Sequence, residues 1–101
     1  MNEIYLDNSA TTRPLPEVIE YMNKTLKTKY GNPSSLHQKG LTAEKIITKA
    51  KKTIANKLKV NPDEIYFTSG GTESNNLALK GVANTYHNRG RHLITTAVEH
   101  A

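Results

Sequence analysis

The 101-residue sequence contains no cysteine and no tryptophan. Without cysteine, disulfides, thiolate metal sites and a cysteine nucleophile are excluded within these residues. Aromatics are scarce, with five tyrosines and Phe67. Leu, Ile, Val and Phe together supply 21 residues, about a fifth of the chain and just above the level where disorder is the default reading. A core built from them would be thin for a free-standing unit of this size. No apolar run approaches the roughly 20 residues that a membrane span needs. The opening Met1-Asn2-Glu3 also lacks the basic and apolar regions of a signal peptide. These absences lead us to expect a soluble, cytoplasmic chain with no membrane partner.

Basic residues are plentiful but unevenly placed. The formal net charge is +5, with residues 1–60 carrying +6 and residues 61–101 carrying −1. Six lysines fall between Lys45 and Lys59. A nucleic-acid binder would use such a stripe to displace counterions from phosphates. The lysines mostly avoid the apolar positions Ala43, Ile46, Ile47, Ala50, Ile54 and Leu58, whose spacing is helical. No aromatic lies among them to stack a base. The stripe therefore reads as the wet face of an amphipathic helix, and nucleic acid is not an expected partner.

Along the chain, Ile4-Tyr5-Leu6-Asp7 alternates as an extended arm and runs into the polar loop Asn8-Ser9-Ala10-Thr11-Thr12. Arg13-Pro14-Leu15-Pro16 opens a helix with Leu15, Val18, Ile19, Met22 and Leu26 on one face. That helix stops before the breaker cluster Gly31-Asn32-Pro33. A second helix runs from about Ser35 or Thr42 to Leu58, with Gly40 a weak point near its start. After the Asn61-Pro62-Asp63 turn, Ile65-Tyr66-Phe67-Thr68 has the β-branched and aromatic character of a buried strand. The Ser69-Gly70-Gly71-Thr72 turn leads into a helix from Glu73 to about Asn88, closed by Gly90 as a C-terminal cap. His92 to Ala97 reads as a second strand, so residues 65–97 form one expected β-α-β unit. Such a unit has two sheet faces to cover and needs further strands, as the front end of a larger protein would.

The strand-to-helix turn is the first candidate site. Glycines there let the backbone approach a ligand, and free N–H groups at the helix start favour an anion. Thr72 could cap the helix or donate to a phosphate oxygen. An ordinary turn with Thr72 as the cap explains the same residues. The glycine spacing matches neither the dinucleotide fingerprint nor the P-loop. His100 follows the C-terminal end of the second strand, the edge where open α/β sheets bind ligands; on position alone a structural role is the simpler reading. His37 belongs to a capped helix start, and His87 and His92 flank a turn. No His, Asp or Glu pair has metal-ligand spacing, so no metal is expected.

Four segments together resemble the cysteine desulfurases, pyridoxal-phosphate enzymes of the class V aminotransferase group. They are Tyr5-Leu6-Asp7-Asn8-Ser9-Ala10-Thr11-Thr12, Tyr30-Gly31-Asn32-Pro33-Ser34-Ser35-Leu36-His37, Phe67-Thr68-Ser69-Gly70-Gly71-Thr72-Glu73-Ser74-Asn75-Asn76 and Glu99-His100. Their order and spacing resemble the branch serving iron–sulfur cluster assembly. The resemblance implies an α/β fold: the N-terminal part of a fold type I aminotransferase-like enzyme, with a three-layer, mainly parallel sheet that is incomplete in this chain. Residues 1–14 would be an arm and active-site loop on the small-domain side, and residues 15–101 would begin the large cofactor-binding domain. The implied cofactor is pyridoxal 5'-phosphate, its phosphate held by Gly71 and Thr72. His100 would be both cofactor-binding, stacked on the pyridine ring, and catalytic, moving protons. The loop Asn8 to Thr12 would line the active-site wall.

The implied reaction converts L-cysteine to L-alanine and passes the sulfur as a persulfide to acceptor or scaffold proteins, for cluster assembly or tRNA thiolation, in a homodimeric enzyme. The family's Schiff-base lysine, its pyridine-nitrogen acid and its mobile cysteine match no position in these 101 residues. This chain alone is therefore expected to be inactive. Selenocysteine lyase, or another enzyme of the class V group, shares these motifs. A small basic phosphate- or nucleic-acid-binding module and an inert fragment are the readings from other classes; strong salt dependence would mark the module and absence of a protected core the fragment.

Overall fold

The computed structural model describes residues 3–99. It contains three α-helices, α1 (Pro16–Thr28), α2 (Gln38–Leu58) and α3 (Gly71–Thr85), and a one-turn 3-10 helix at Pro62–Glu64. The chain divides into two compact units, with the boundary between Ile65 and Tyr66.

In the first unit, α1 begins at Pro16, whose missing N–H costs nothing in the first turn. Glu17 near its start and Lys27 near its end both suit the helix dipole. The expected apolar face is present, but Leu15, Val18, Ile19, Met22 and Leu26 all stand exposed. Burying one such side chain is worth about 1.5–3 kcal/mol, so an open face of five is a strong drive to pack against something more.

Helix α2 starts at Gln38, between the two starts considered from the sequence. His37 is its N-cap, with Nδ1 accepting the Gly40 N–H at 3.3 Å. The loop before it is a tight turn. Ser35 N–H donates to the Asn32 carbonyl at 3.0 Å, and Ser34 N–H donates to Asn32 Oδ1 at 2.9 Å. Gly40 is buried against this turn. A Cβ there would land on the Ser35 carbonyl oxygen and come within 2.8 Å of the Asn32 oxygen. Gly31 is equally constrained, since its Cβ would strike the Lys39 carbonyl. Loop and helix start thus interlock backbone to backbone, and the expected weak point at Gly40 is a close packing contact. Beside it, the Lys39 ammonium donates to the Tyr30 hydroxyl and lies 4.1 Å from the ring centroid.

At the other end of α2, Lys59 adopts the left-handed conformation, φ 58° and ψ 43°. Lys59 N–H and Val60 N–H both donate to the Ala55 carbonyl. The reversal brings the Pro62–Glu64 turn onto α2, and Ala55 is fully buried. Asn61 N–H donates to Glu64 Oε2 at 2.7 Å, fixing that turn. Lys45, Lys49, Lys52, Lys57 and Lys59 are exposed, as expected of a wet face.

In the second unit, α3 spans Gly71–Thr85, beginning two residues earlier than expected and ending three earlier. Gly90 is not its cap. Tyr86 closes the helix by donating its N–H to the Val82 carbonyl, and Arg89 N–H donates to the Tyr86 carbonyl at 2.8 Å. The helix gives way there to a hydrogen-bonded turn from Tyr86 to Arg89, and the Arg89 guanidinium lies over the Tyr86 ring, 5.1 Å from its centroid.

The two expected strands are not formed among the described residues. Residues 65–68 and 92–96 have no ladder, and Ala97 lies in a turn. Ile65 keeps an extended backbone, φ −95° and ψ 119°. A strand's hydrogen bonds come from its neighbours, so β-forming side chains without partner strands give extended chain instead of sheet. Tyr66, Phe67, Leu93 and Ile94 are correspondingly exposed. No helix among the described residues is long and apolar enough to cross a membrane.

Candidate functional site

The turn at residues 68–72 is where sequence and geometry meet. Helical geometry leaves the first N–H groups of α3 without carbonyl partners inside the helix. Ser74 N–H is the first to find one, donating to the Gly70 carbonyl at 3.1 Å. Those of Gly71, Thr72 and Glu73 precede it and gather at the positive end of the helix dipole. Neither Gly70 nor Gly71 has an atom within 4 Å of where a Cβ would sit. Among the described residues these glycines therefore do not serve close packing; they leave open space beside a set of donors. Gly70 is in extended backbone, φ 166° and ψ −177°.

The expected cap at Thr72 is not made. Thr72 is the second residue of the helix, and the N-cap position, Gly70, has no side chain to bond with. Glu73 instead ties the start of the helix back to the residue before the glycines. Its Oε2 accepts Ser69 Oγ–H and Ser69 N–H, each at 2.6 Å. The hydroxyl bond first and the backbone bond second hold the Glu73 carboxyl below the usual carboxylate range. Thr68 makes a second brace. Its hydroxyl donates to the Gly70 carbonyl at 3.2 Å and therefore accepts from Ser74 Oγ, 2.6 Å away. Asn76 Nδ2 donates to the Thr72 carbonyl at 2.9 Å, completing a self-bonded turn. The Ser69–Glu73 pair is not among the site residues expected from the motifs. Its signal was present as a serine just before the glycine turn and a carboxylate four residues on, a variant of the capping box.

Gly71 and Thr72 thus sit side by side in the first turn of α3, both exposed. His100 lies outside the described residues. The loop from Asn8 belongs to the first unit. It begins in a turn where Ala10 N–H and Thr11 N–H donate to the Asp7 carbonyl at 3.1 and 3.3 Å. Thr11, Thr12 and Arg13, with Glu3 and Tyr5, line a hollow of about 330 Å³. No group of three or more His, Cys, Asp or Glu among the described residues could hold a metal ion.

Residues 4–101 match the family model described as aminotransferase class V. A NifS/IcsS protein homolog of Lactobacillus delbrueckii subsp. bulgaricus is 51% identical over 98 residues, which are 97% of this chain and 26% of that protein. The cysteine desulfurase IscS of Dictyoglomus turgidum is also 51% identical, over 97% of this chain and 25% of its own length. Among solved structures, a NifS-like protein superimposes with a TM-score of 0.86 at 47% identity, covering 96% of this chain and 27% of that one. The chain spans about a quarter of the length of the relatives it matches.

Proposed function

The chain belongs to the aminotransferase class V family, and from that premise we propose that it is the N-terminal segment of a pyridoxal-phosphate-dependent cysteine desulfurase. The whole protein converts L-cysteine to L-alanine and delivers sulfur, as a persulfide, to acceptor or scaffold proteins of iron–sulfur cluster assembly. It works in the cytoplasm as a homodimer. Residues 1–14 belong to the small-domain side and residues 15–101 open the large domain. There the segments at 65–68 and 92–97 become strands of a three-layer, mainly parallel sheet once later sequence pairs with them.

The observation that carries this reading is the open space at Gly70 and Gly71 beside the donors of the first turn of α3. A donor set of backbone N–H groups and the Thr72 hydroxyl, at a positive helix end, fits a phosphate dianion. Gly71 and Thr72 would hold the cofactor phosphate. His100 would lie on the pyridine ring and hold or move a proton. When bound, the cofactor supplies an electron sink for bonds broken at the amino acid. The protein residues bind, orient and carry protons. The uncovered apolar faces of this chain fit the same reading, because relatives supply three further quarters of sequence to pack against them.

The test uses the full-length protein, measuring alanine released from L-cysteine and pyridoxal 5'-phosphate affinity. We expect wild type to release alanine. Within this chain a Cβ at Gly71 would project into the open space beside the first-turn donors, so Gly71→Ala should crowd the phosphate, at about 1–3 kcal/mol, and weaken cofactor binding by about tenfold or more. Unchanged affinity in Gly71→Ala, or no alanine from wild type, would refute the assignment.

A further inference from the structure

We propose that Glu73 is a positioning residue for phosphate binding: through Oε2 it fixes the Ser69-Gly70 turn so that the first-turn N–H groups of α3 stay open to the cofactor phosphate. The inference rests on the phosphate site proposed above and adds a residue that does not itself touch the ligand. A carboxylate in the first turn of a helix is drawn to the same positive end that would bind an anion. Left free, Glu73 would compete with a phosphate for those donors. It is not free, since Oε2 takes both the hydroxyl and the N–H of Ser69 at 2.6 Å. The carboxylate is committed to the residue before the glycines, and the turn is held at its entrance.

The Thr68–Ser74 brace works alongside it. Together the two bonds tie residues 68 and 69, ahead of the turn, to residues 73 and 74 within the helix. Two glycines in sequence would otherwise be among the most mobile backbone in the chain. The glycines leave the space open, and the flanking side chains keep the backbone from wandering into it.

Positioning and simple electrostatics predict opposite signs. If Glu73 acted only as a nearby negative charge, its removal would tighten binding of a phosphate. If it positions the turn, its removal loosens binding. The experiment compares pyridoxal 5'-phosphate with pyridoxal, which lacks only the phosphate, on the full-length apoprotein by absorbance titration. Glu73→Ala should weaken pyridoxal 5'-phosphate binding about tenfold and leave pyridoxal binding unchanged. Glu73→Gln keeps an acceptor oxygen for Ser69 and should recover part of the loss. Ser69→Ala removes one of the two bonds and should fall between wild type and Glu73→Ala; with Glu73→Gln it decides the matter should Glu73→Ala fail to fold. Equal losses for both ligands would mean a general structural role, and unchanged or tighter phosphate-ligand binding would mean a mere charge. Either overturns the inference. Gly71→Ala, run in parallel, separates the two claims. If it weakens only the phosphorylated ligand while the Glu73 and Ser69 variants bind like wild type, the site stands and the positioning role fails. If Gly71→Ala has no effect, the site itself fails.

Discussion

Two helical glycines, Gly40 and Gly81, should respond in opposite ways to the same substitution. By helix preference alone, Gly→Ala in a helix stabilises by up to about 1 kcal/mol at either site. At Gly81 in α3 nothing lies within 4 Å of the new methyl, so that gain should appear in full. At Gly40 in α2 the methyl would fall on the Ser35 carbonyl oxygen and lie 2.8 Å from both the Ser35 carbonyl carbon and the Asn32 oxygen. These are backbone atoms of a turn already tied by the Ser35–Asn32 and Ser34–Asn32 hydrogen bonds. They cannot swing aside as a flexible side chain would. Forcing a methyl into such a contact costs about 1–3 kcal/mol, which offsets or exceeds the helix gain. Gly40→Ala should therefore be neutral to about 2 kcal/mol destabilising, and the two variants should differ by about 1–3 kcal/mol. Amide hydrogen exchange on this chain reads each helix separately. Protection should fall through the first turns of α2 in Gly40→Ala and rise across α3 in Gly81→Ala. Equal gains in both helices would refute the claim that the 31–35 loop packs backbone to backbone on α2.

Lys59 holds the left-handed conformation without being glycine, so Lys59→Gly should stabilise the end of α2 by about 1 kcal/mol, seen as a higher unfolding midpoint. His37→Ala removes the α2 cap; because the bond is long, at 3.3 Å, the loss should sit at the lower end of the cap range, about 0.5–1 kcal/mol, in the same assay. The hydrogen bond from Lys39, with its charge second, holds the Tyr30 phenol below its ordinary range. Folding thus favours the phenolate. The pair's stabilisation is present above the ordinary phenol range and is lost as pH falls through the lowered folded value. Lys39→Met should move the phenolate ultraviolet titration of Tyr30 upward.

The sequence by itself determined the three helices, the break at Gly31-Asn32-Pro33, the glycine turn and the family. Those features are local: apolar spacing, backbone-restricted residues and short motifs act within a few residues of one another. His37 as a helix start was legible for the same reason. The end of α3 was not, because Gly90 is a good cap in isolation, yet the Tyr86–Arg89 turn closes the helix first. Nor was the start of α3, which has no side-chain cap: Gly70 is its N-cap, and a carboxylate inside the helix reaches back to Ser69 instead.

Only the tertiary structure decided what Gly40 is for, since its role lies in the carbonyls of a turn that folds back over it. Only the structure showed that Gly70 and Gly71 face open space. It also decided the fate of the expected strands. Ile65-Tyr66-Phe67-Thr68 and His92 to Ala97 have strand-forming side chains, but a strand exists through hydrogen bonds to a neighbour, and none is provided among the described residues. A helix carries its hydrogen bonds within its own segment and can be read from that segment. A sheet shares its bonds among segments, so its formation depends on partners that no single segment contains.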